Sequence, residues 1–263
     1  MLSQIDWARP WYDAVRPAFA RLGGGMTSVA EALNAAAAPL ALVNQRGLPL
    51  RFVPQDHLPD GRAYEEFIGA TGCVPTRENL HDFFNGLVWL TFPRIKQQLN
   101  ALQAAQIALA GVGKSRGAAR DGATIFDENS ALLVVRAGGE GERLVAALRA
   151  HGWIEALYEQ RGAFGPDAEV WLFGHALMEK LVAPRKAITA HTRVVVAGDE
   201  YFALSHDQRR AWIDGRVAAE LADQGLSTAC FTPLPVLGVP GWWEGQDHAF
   251  YADTTVFRPK RAV

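Results

Sequence analysis

The chain has 263 residues, 49% of them hydrophobic and 21% charged, with a net charge of −2. That length suits one large domain or two small ones, and that composition belongs to a folded protein, not a disordered one. The near-zero charge gives no global basic field for nucleic acid or an anionic membrane.

Two cysteines, Cys73 and Cys230, lie far apart and outside any CxxC spacing, which argues against a thiolate zinc site. The start, MLSQIDWARPWYDAV, has no basic segment leading into an apolar run, and no stretch reaches transmembrane length. These features predict a cytoplasmic protein with reduced thiols and no membrane contact.

In chain order, Pro10 opens a helical run through Trp11, Val15, Phe19 and Leu22 that ends at Gly23-Gly24-Gly25. Thr27 or Ser28 caps an alanine-rich helix from Val29 to about Ala38. Residues 46–60 hold three prolines and a short extended LRFV segment. Arg62 to Ala70 reads as a short helix. Thr76 then caps a longer one, Arg77 to Thr91, which stops before Pro93. Arg94 to Ala110 is a further helix, and Lys114 to Arg120 a loop.

The second half is mixed. Ala131–Arg136, Glu169–Gly174 and Thr192–Ala197 read as strands, and Glu142–Ala150 and His175–Leu181 as helices. Ser205 caps an amphipathic helix to Asp223. The proline-rich tail ends in a strand-like FYADTTVF. The expected fold is α+β: a helical N-terminal half packed on a mixed C-terminal half with a small sheet. The expected organisation is one integrated domain over 1–263, with a possible subdivision near 111–122.

Three polar blocks stand beside strongly apolar segments. In the first, His81 and Asp82 sit in an otherwise apolar helix, and His81, Asn85 and Trp89 share a face at i, i+4 spacing. Such polar groups are costly unless satisfied, so the pair is either hydrogen-bonded structure or part of a site. The second block, RGAARDGATIFDEN, places Asp127 and Glu128 just before a strand, with Arg116 and Arg120 able to clamp an anionic oxygen. The third, FGHALMEKLVAPRKAITAH, puts His175 and Glu179 one helical turn apart, with Lys186 and His191 following.

His81, Asp82, His175 and His191 form a nitrogen–oxygen set suited to zinc, manganese or iron. Asp127, Glu128, Arg120 and Lys186 are the candidate catalytic residues. The resulting expectation is a metal-dependent hydrolase acting on a small-molecule substrate, in which the divalent ion lowers the pKa of a bound water. The alternatives are a non-catalytic ligand- or protein-binding accessory protein, or an RNA-acting protein using Lys114, Arg116 and Arg120. Gly111-Val-Gly113-Lys114-Ser115 ends in GKS but lacks the P-loop spacing, which excludes that motif. In the tail, Trp242, Trp243, Phe250 and Tyr251 either wall a pocket or wrap the core.

The runs PTRENLHDFFNGLVWLTFPRIKQQLNALQA, RDGATIFDENSALLV, FGHALMEKLVAPRKAITAH and PLPVLGVPGWW with FYADTTVFRP occur intact and in this order. Over about Trp11 to Arg258 they resemble the bacterial domain-of-unknown-function family 3025. The resemblance implies a bacterial, single-domain protein and assigns no catalytic residue.

Overall fold

The computed structural model describes residues 2–23, 28–110 and 118–260, without the side chains of 108–110 and 118–120. The expected first helix is broken. A single turn at Pro10–Tyr12 precedes the short α1 (Arg16–Ala20). Helix α2 (Val29–Ala37) starts at Ser28, whose Oγ accepts from the Glu31 N–H. Strand β1 (Arg51–Pro54) pairs in parallel with β2 (Cys73–Thr76) across α3 (Tyr64–Thr71). Thr76 therefore belongs to a strand. The cap of α4 (Leu80–Thr91) is Asn79, whose Oδ1 accepts from the Asp82 N–H at 2.8 Å.

Helix α5 (Pro93–Ala110) follows after Phe92 alone. The stretch expected to be a loop before a strand is instead α6 (Ala118–Asn129). Gly122, Ala123 and Phe126 are buried on one side of it, so core packing outweighs the modest helix propensity of its glycine, threonine and aspartates. After α6 come β3 (Ser130–Arg136), α7 (Gly139–Arg149), β4 (Ala168–Leu172), α8 (His175–Lys180) and β5 (Thr189–Ala197). The short α9 (Asp199–Phe202), α10 (His206–Gln224), β6 (Phe231–Pro235) and α11 (His248–Ala252) complete the described chain. Ser205 and Gln208 form a full capping box at α10. The tail expected to be extended is helical at α11, where the Asp247 carboxylate caps the first turn.

The main sheet has the order β4-β3-β5-β6, with β3 and β5 parallel and both outer pairs antiparallel. Strand β3 is buried on both faces. Leu132 and Val134 join the core shared with α4, α5, α8 and α10, while Leu133 and Val135 join a second core under α7 and the tail. Burial of both faces is why SALLVVR is an unbroken apolar run and not an alternating one. The expected α+β fold is the one observed. Among the described residues no helix is long and apolar enough to cross a membrane, and both cysteines are free thiols.

The abrupt α4–α5 junction leaves the first N–H groups of α5 without helical partners. Asp214, buried on α10, supplies them: its carboxylate accepts from the N–H of Ile95 at 2.9 Å and of Arg94 at 3.1 Å. Burial pushes the Asp214 carboxyl up to about 6, with the two N–H bonds pulling the other way. A carboxyl with a folded pKa above its unfolded value binds its proton more tightly in the native state. Its contribution to stability therefore falls as pH rises from about 4 to about 6, by up to about 3 kcal/mol. Urea unfolding of Asp214→Asn against the parent at pH 4, 6 and 8 is expected to show that decline in the parent alone.

Candidate functional site

Helices α4, α5, α6 and α8 converge, and each contributes at least one polar side chain to a cluster made of two hydrogen-bonded chains that meet at His175 and Asp127. Lys96 of α5 is the centre. Its helical phase follows Phe92, Ile95 and Leu99, so the side chain enters the interior and is only 5% exposed. Its ammonium donates to Asp127 Oδ1 at 2.5 Å and to Asn85 Oδ1 at 2.8 Å, and lies 5.3 Å from the centre of the Trp89 ring. Asn85 Nδ2 in turn donates to the Tyr64 hydroxyl at 3.0 Å. Burial raises the Tyr64 phenol far above its ordinary value, so it stays protonated.

On the other side of Asp127 lies His175, 5% exposed, with Nδ1 3.9 Å from Asp127 Oδ2. That gap is too long for a hydrogen bond, and the buried Nδ1 makes no well-formed hydrogen bond among the described residues, although the Asp127 main chain lies close enough to favour a proton on the ring. The Nε2 of His175 faces the Nε2 of His81 at 3.0 Å, and the rings meet edge to face. Finally, His81 Nδ1 lies 3.0 Å from Glu179 Oε2. Glu179 and His175 share one face of α8, as their spacing predicts.

The result is the sequence Glu179–His81–His175–Asp127–Lys96–Asn85–Tyr64. It passes from side chains a third or more exposed at Glu179 and His81 to a buried lysine.

Local geometry allows this approach. Gly174 sits where β4 turns into α8, against the α6–β3 junction, and its N–H donates to the Ser130 carbonyl at 2.8 Å. A Cβ there would lie 2.4 Å from the Ser130 nitrogen and 2.6 Å from the Glu128 carbonyl. Glycine at 174 is needed for space, not for backbone conformation, since its φ is −60°.

The hydrogen bonds fix the protons. Glu179 can only accept, so His81 carries its proton on Nδ1 when neutral and offers Nε2 as a lone pair. His175 then donates through Nε2–H, which leaves its own Nδ1 unprotonated. Burial holds the His175 imidazole down at about 4, against the pull of Asp127, with Lys96 and His81 adding to the depression. Burial alone would raise the Asp127 carboxyl. The Lys96 ammonium and the two imidazoles outweigh it and keep that pKa below the usual carboxylate range.

The expected metal set does not assemble as a whole. His81 and His175 meet, but Asp82 and His191 are elsewhere. Asp82 accepts from the Arg77 main chain at 2.7 Å and from its guanidinium at 2.9 Å, folding residues 77–79 over the start of α4. His191 is exposed at the start of β5, with its ring nitrogen 3.2 Å from Asn129 Nδ2. Among the described residues no three His, Cys, Asp or Glu side chains group as a metal-ligand set.

Of the expected catalytic residues whose side chains are described, only Asp127 belongs to the network. It lies in the last turn of α6, not at a strand end, and Glu128 beside it is exposed. Lys186 is bonded to Asp253 at 2.7 Å and lies 4.3 Å from the centre of the Phe250 ring, where it pins the tail. The Arg120 side chain lies outside the described residues, as do Lys114, Ser115, Arg116 and the GKS segment. Lys96 and Tyr64 were not anticipated. For Lys96 the usable signal was its phase on the apolar face of α5.

A buried ion pair constrains more than it stabilises. Lys96→Met leaves Asp127 uncompensated, and is expected to lower unfolding stability by about 3–5 kcal/mol. Asp127→Asn, which strands the ammonium, should cost a similar amount. The double variant Lys96→Met/Asp127→Leu should recover part of the loss. Urea denaturation of all three checks this. Additive losses would show that the two groups do not act as a pair.

A family model described as a protein of unknown function, DUF3025, matches residues 50–261. No curated protein and no solved structure matches the chain. Every member of the polar network, from Tyr64 to Glu179, falls within the matched span, which covers most of the sequence, and the chain belongs to the DUF3025 family.

Proposed function

We propose that the protein is an enzyme whose reaction begins with proton abstraction by His175, and that its reaction class is hydrolysis. The observation that carries this reading is the Nδ1 of His175, a buried imidazole nitrogen with no well-formed hydrogen bond, beside the Asp127 carboxylate. Buried nitrogens without partners are rare in folded proteins and call for a reason. Perturbed titrating groups gathered in one place are a mark of chemistry.

The proton path follows from the tautomers. A water or hydroxyl oxygen gives its proton to His175 Nδ1. The proton already on His175 Nε2 passes to His81 Nε2. His81 becomes an imidazolium whose Nδ1–H remains on Glu179. One proton enters and one positive charge appears at the outer ring, where a carboxylate stabilises it. The same logic underlies any nucleophile–base–orienter arrangement. The deprotonated oxygen forms next to Lys96, whose ammonium offsets its negative charge.

A second reading rests on one further observation. The two Nε2 atoms face each other at 3.0 Å while each Nδ1 is turned toward a carboxylate. Outer carboxylates on Nδ1 with Nε2 directed inward is the pattern of metal-bound histidines. In that reading His81 and His175 would hold a divalent ion, which would supply the water activation of the metal-dependent hydrolase expected from the sequence.

Assays on panels of esters, amides and phosphate esters, with and without added zinc or manganese, test both readings. Under the proton-relay reading His175→Gln lowers turnover by about 10²- to 10⁴-fold without added metal, and Glu179→Gln by less. Turnover indifferent to His175→Gln would sink it. Stoichiometric zinc in the parent, lost in both His81→Ala and His175→Ala, would establish the metal reading instead. The relay also requires a neutral His175. Its ring resonances are expected to titrate near pH 4.

A further inference from the structure

A cavity of about 440 Å³ opens on the surface where the ends of α6 and α8 meet the start of β5. Its walls are Asn129, Lys180, Arg185, Ala187, Ile188 and Thr189, of which only Ile188 is buried. Asn129 closes α6 two positions after Asp127, and Lys180 closes α8 directly after Glu179. The cavity thus shares two helices with the polar network but none of its side chains.

The charge at this place has one sign. No Asp or Glu side chain lines the cavity, whereas two cations do. The exposed guanidinium of Arg185 has no hydrogen-bond or ion-pair partner among the described residues. The Lys180 ammonium donates to Asn129 Oδ1 at 3.0 Å, which leaves two of its three N–H donors uncommitted. Its neighbour in sequence, Glu179, is turned to His81 instead. The chain as a whole carries a net charge of −2, so this local positive field is not part of a generally basic surface.

Both cations are held from behind. The Asn129 amide has one possible orientation. Its Nδ2 donates to the Thr189 carbonyl at 3.0 Å and lies 3.2 Å from His191 Nδ1, so its Oδ1 is left for Lys180. Arg185 opens a turn that the Ile188 N–H closes on the Arg185 carbonyl at 2.9 Å. Before it, Pro184 fixes the backbone, and after it, Lys186 is tied to Asp253 at 2.7 Å. The main chain that carries Arg185 is therefore anchored while its guanidinium is free. In the same turn the Ala187 N–H has no acceptor among the described residues. Donors ordered in advance cost a ligand less on binding.

A guanidinium fork and an ammonium on one wall, with no carboxylate to answer them, match the oxygens of a phosphoryl group: the fork takes two and the ammonium another. We propose that this cavity binds a small phosphomonoester. Arg185 and Lys180 hold its phosphoryl oxygens, and the rest of the ligand lies against Ala187 and Ile188. The volume falls in the range of about 300–1,000 Å³ usual for small-molecule sites. The site rests on its own geometry and needs no chemistry at His175.

The test adds phenyl phosphate, inorganic phosphate or benzoate to the full chain at constant ionic strength. Calorimetry gives the affinity, and the side-chain N–H resonance of Arg185 reports where the probe sits. Phenyl phosphate is expected to saturate with a Kd below about 1 mM and to shift that resonance. Inorganic phosphate, which lacks the ring, and benzoate, which lacks the third oxygen, should each bind at least about fivefold more weakly.

Arg185→Gln and Lys180→Gln, both at exposed positions, should each weaken phenyl phosphate by about tenfold or more. Arg51→Gln removes the same charge from an exposed arginine at a different cavity and should leave the affinity as it is. Several results would overturn the proposal. They are no saturation at millimolar phenyl phosphate, benzoate or inorganic phosphate binding as tightly, or equal weakening by Arg51→Gln. A short oligothymidylate that binds more tightly than phenyl phosphate and shifts the same Arg185 resonance would also overturn it, in favour of a nucleic-acid surface.

Discussion

The interior of this protein is organised by one buried positive charge. An ammonium as enclosed as that of Lys96 is tolerable only if every side of it is answered. Asp127 answers it from α6, Asn85 from α4, and the Trp89 ring supplies a polarisable wall. These contacts tie three helices into one relative arrangement. The fourth, α8, joins through His175 and Glu179, which both meet His81 of α4. An apolar residue at 96 would fill the space but would carry no information about where α6 belongs.

Much of the fold could be read from the residues because local signals and tertiary packing agree. Ser205 with Gln208, Ser28 before the alanine-rich run, and Phe92-Pro93 at the end of α4 each act within a few residues, and each is found in its expected role. Where local and tertiary preferences disagree, the sequence misleads. The DGATIFDEN segment has the composition of a turn, and becomes helical because Ala123 and Phe126 are buried. The Phe250–Phe257 tail has the residues of a strand, yet it begins in a helical turn capped by Asp247.

The site was half legible for a related reason. The spacing of His81, Asn85 and Trp89, and of His175 and Glu179, follows from the helical repeat. What periodicity cannot give is which polar residue answers which. Asp82 looked like the natural companion of His81, yet a neighbour five residues back takes both its oxygens. The true companion, Glu179, lies 98 positions away. Pairings of that length depend on how α8 docks against α4, and no local pattern encodes that docking.

That docking passes through Gly174. The constraint there is a missing atom, and every other amino acid would restore it. Elsewhere a side chain can relieve a close contact by changing its rotamer. Position 174 has no such latitude, because its neighbours are main-chain atoms of the α6–β3 junction, which no side-chain exchange can remove. The geometry of the charged network thus rests also on a residue that carries no charge.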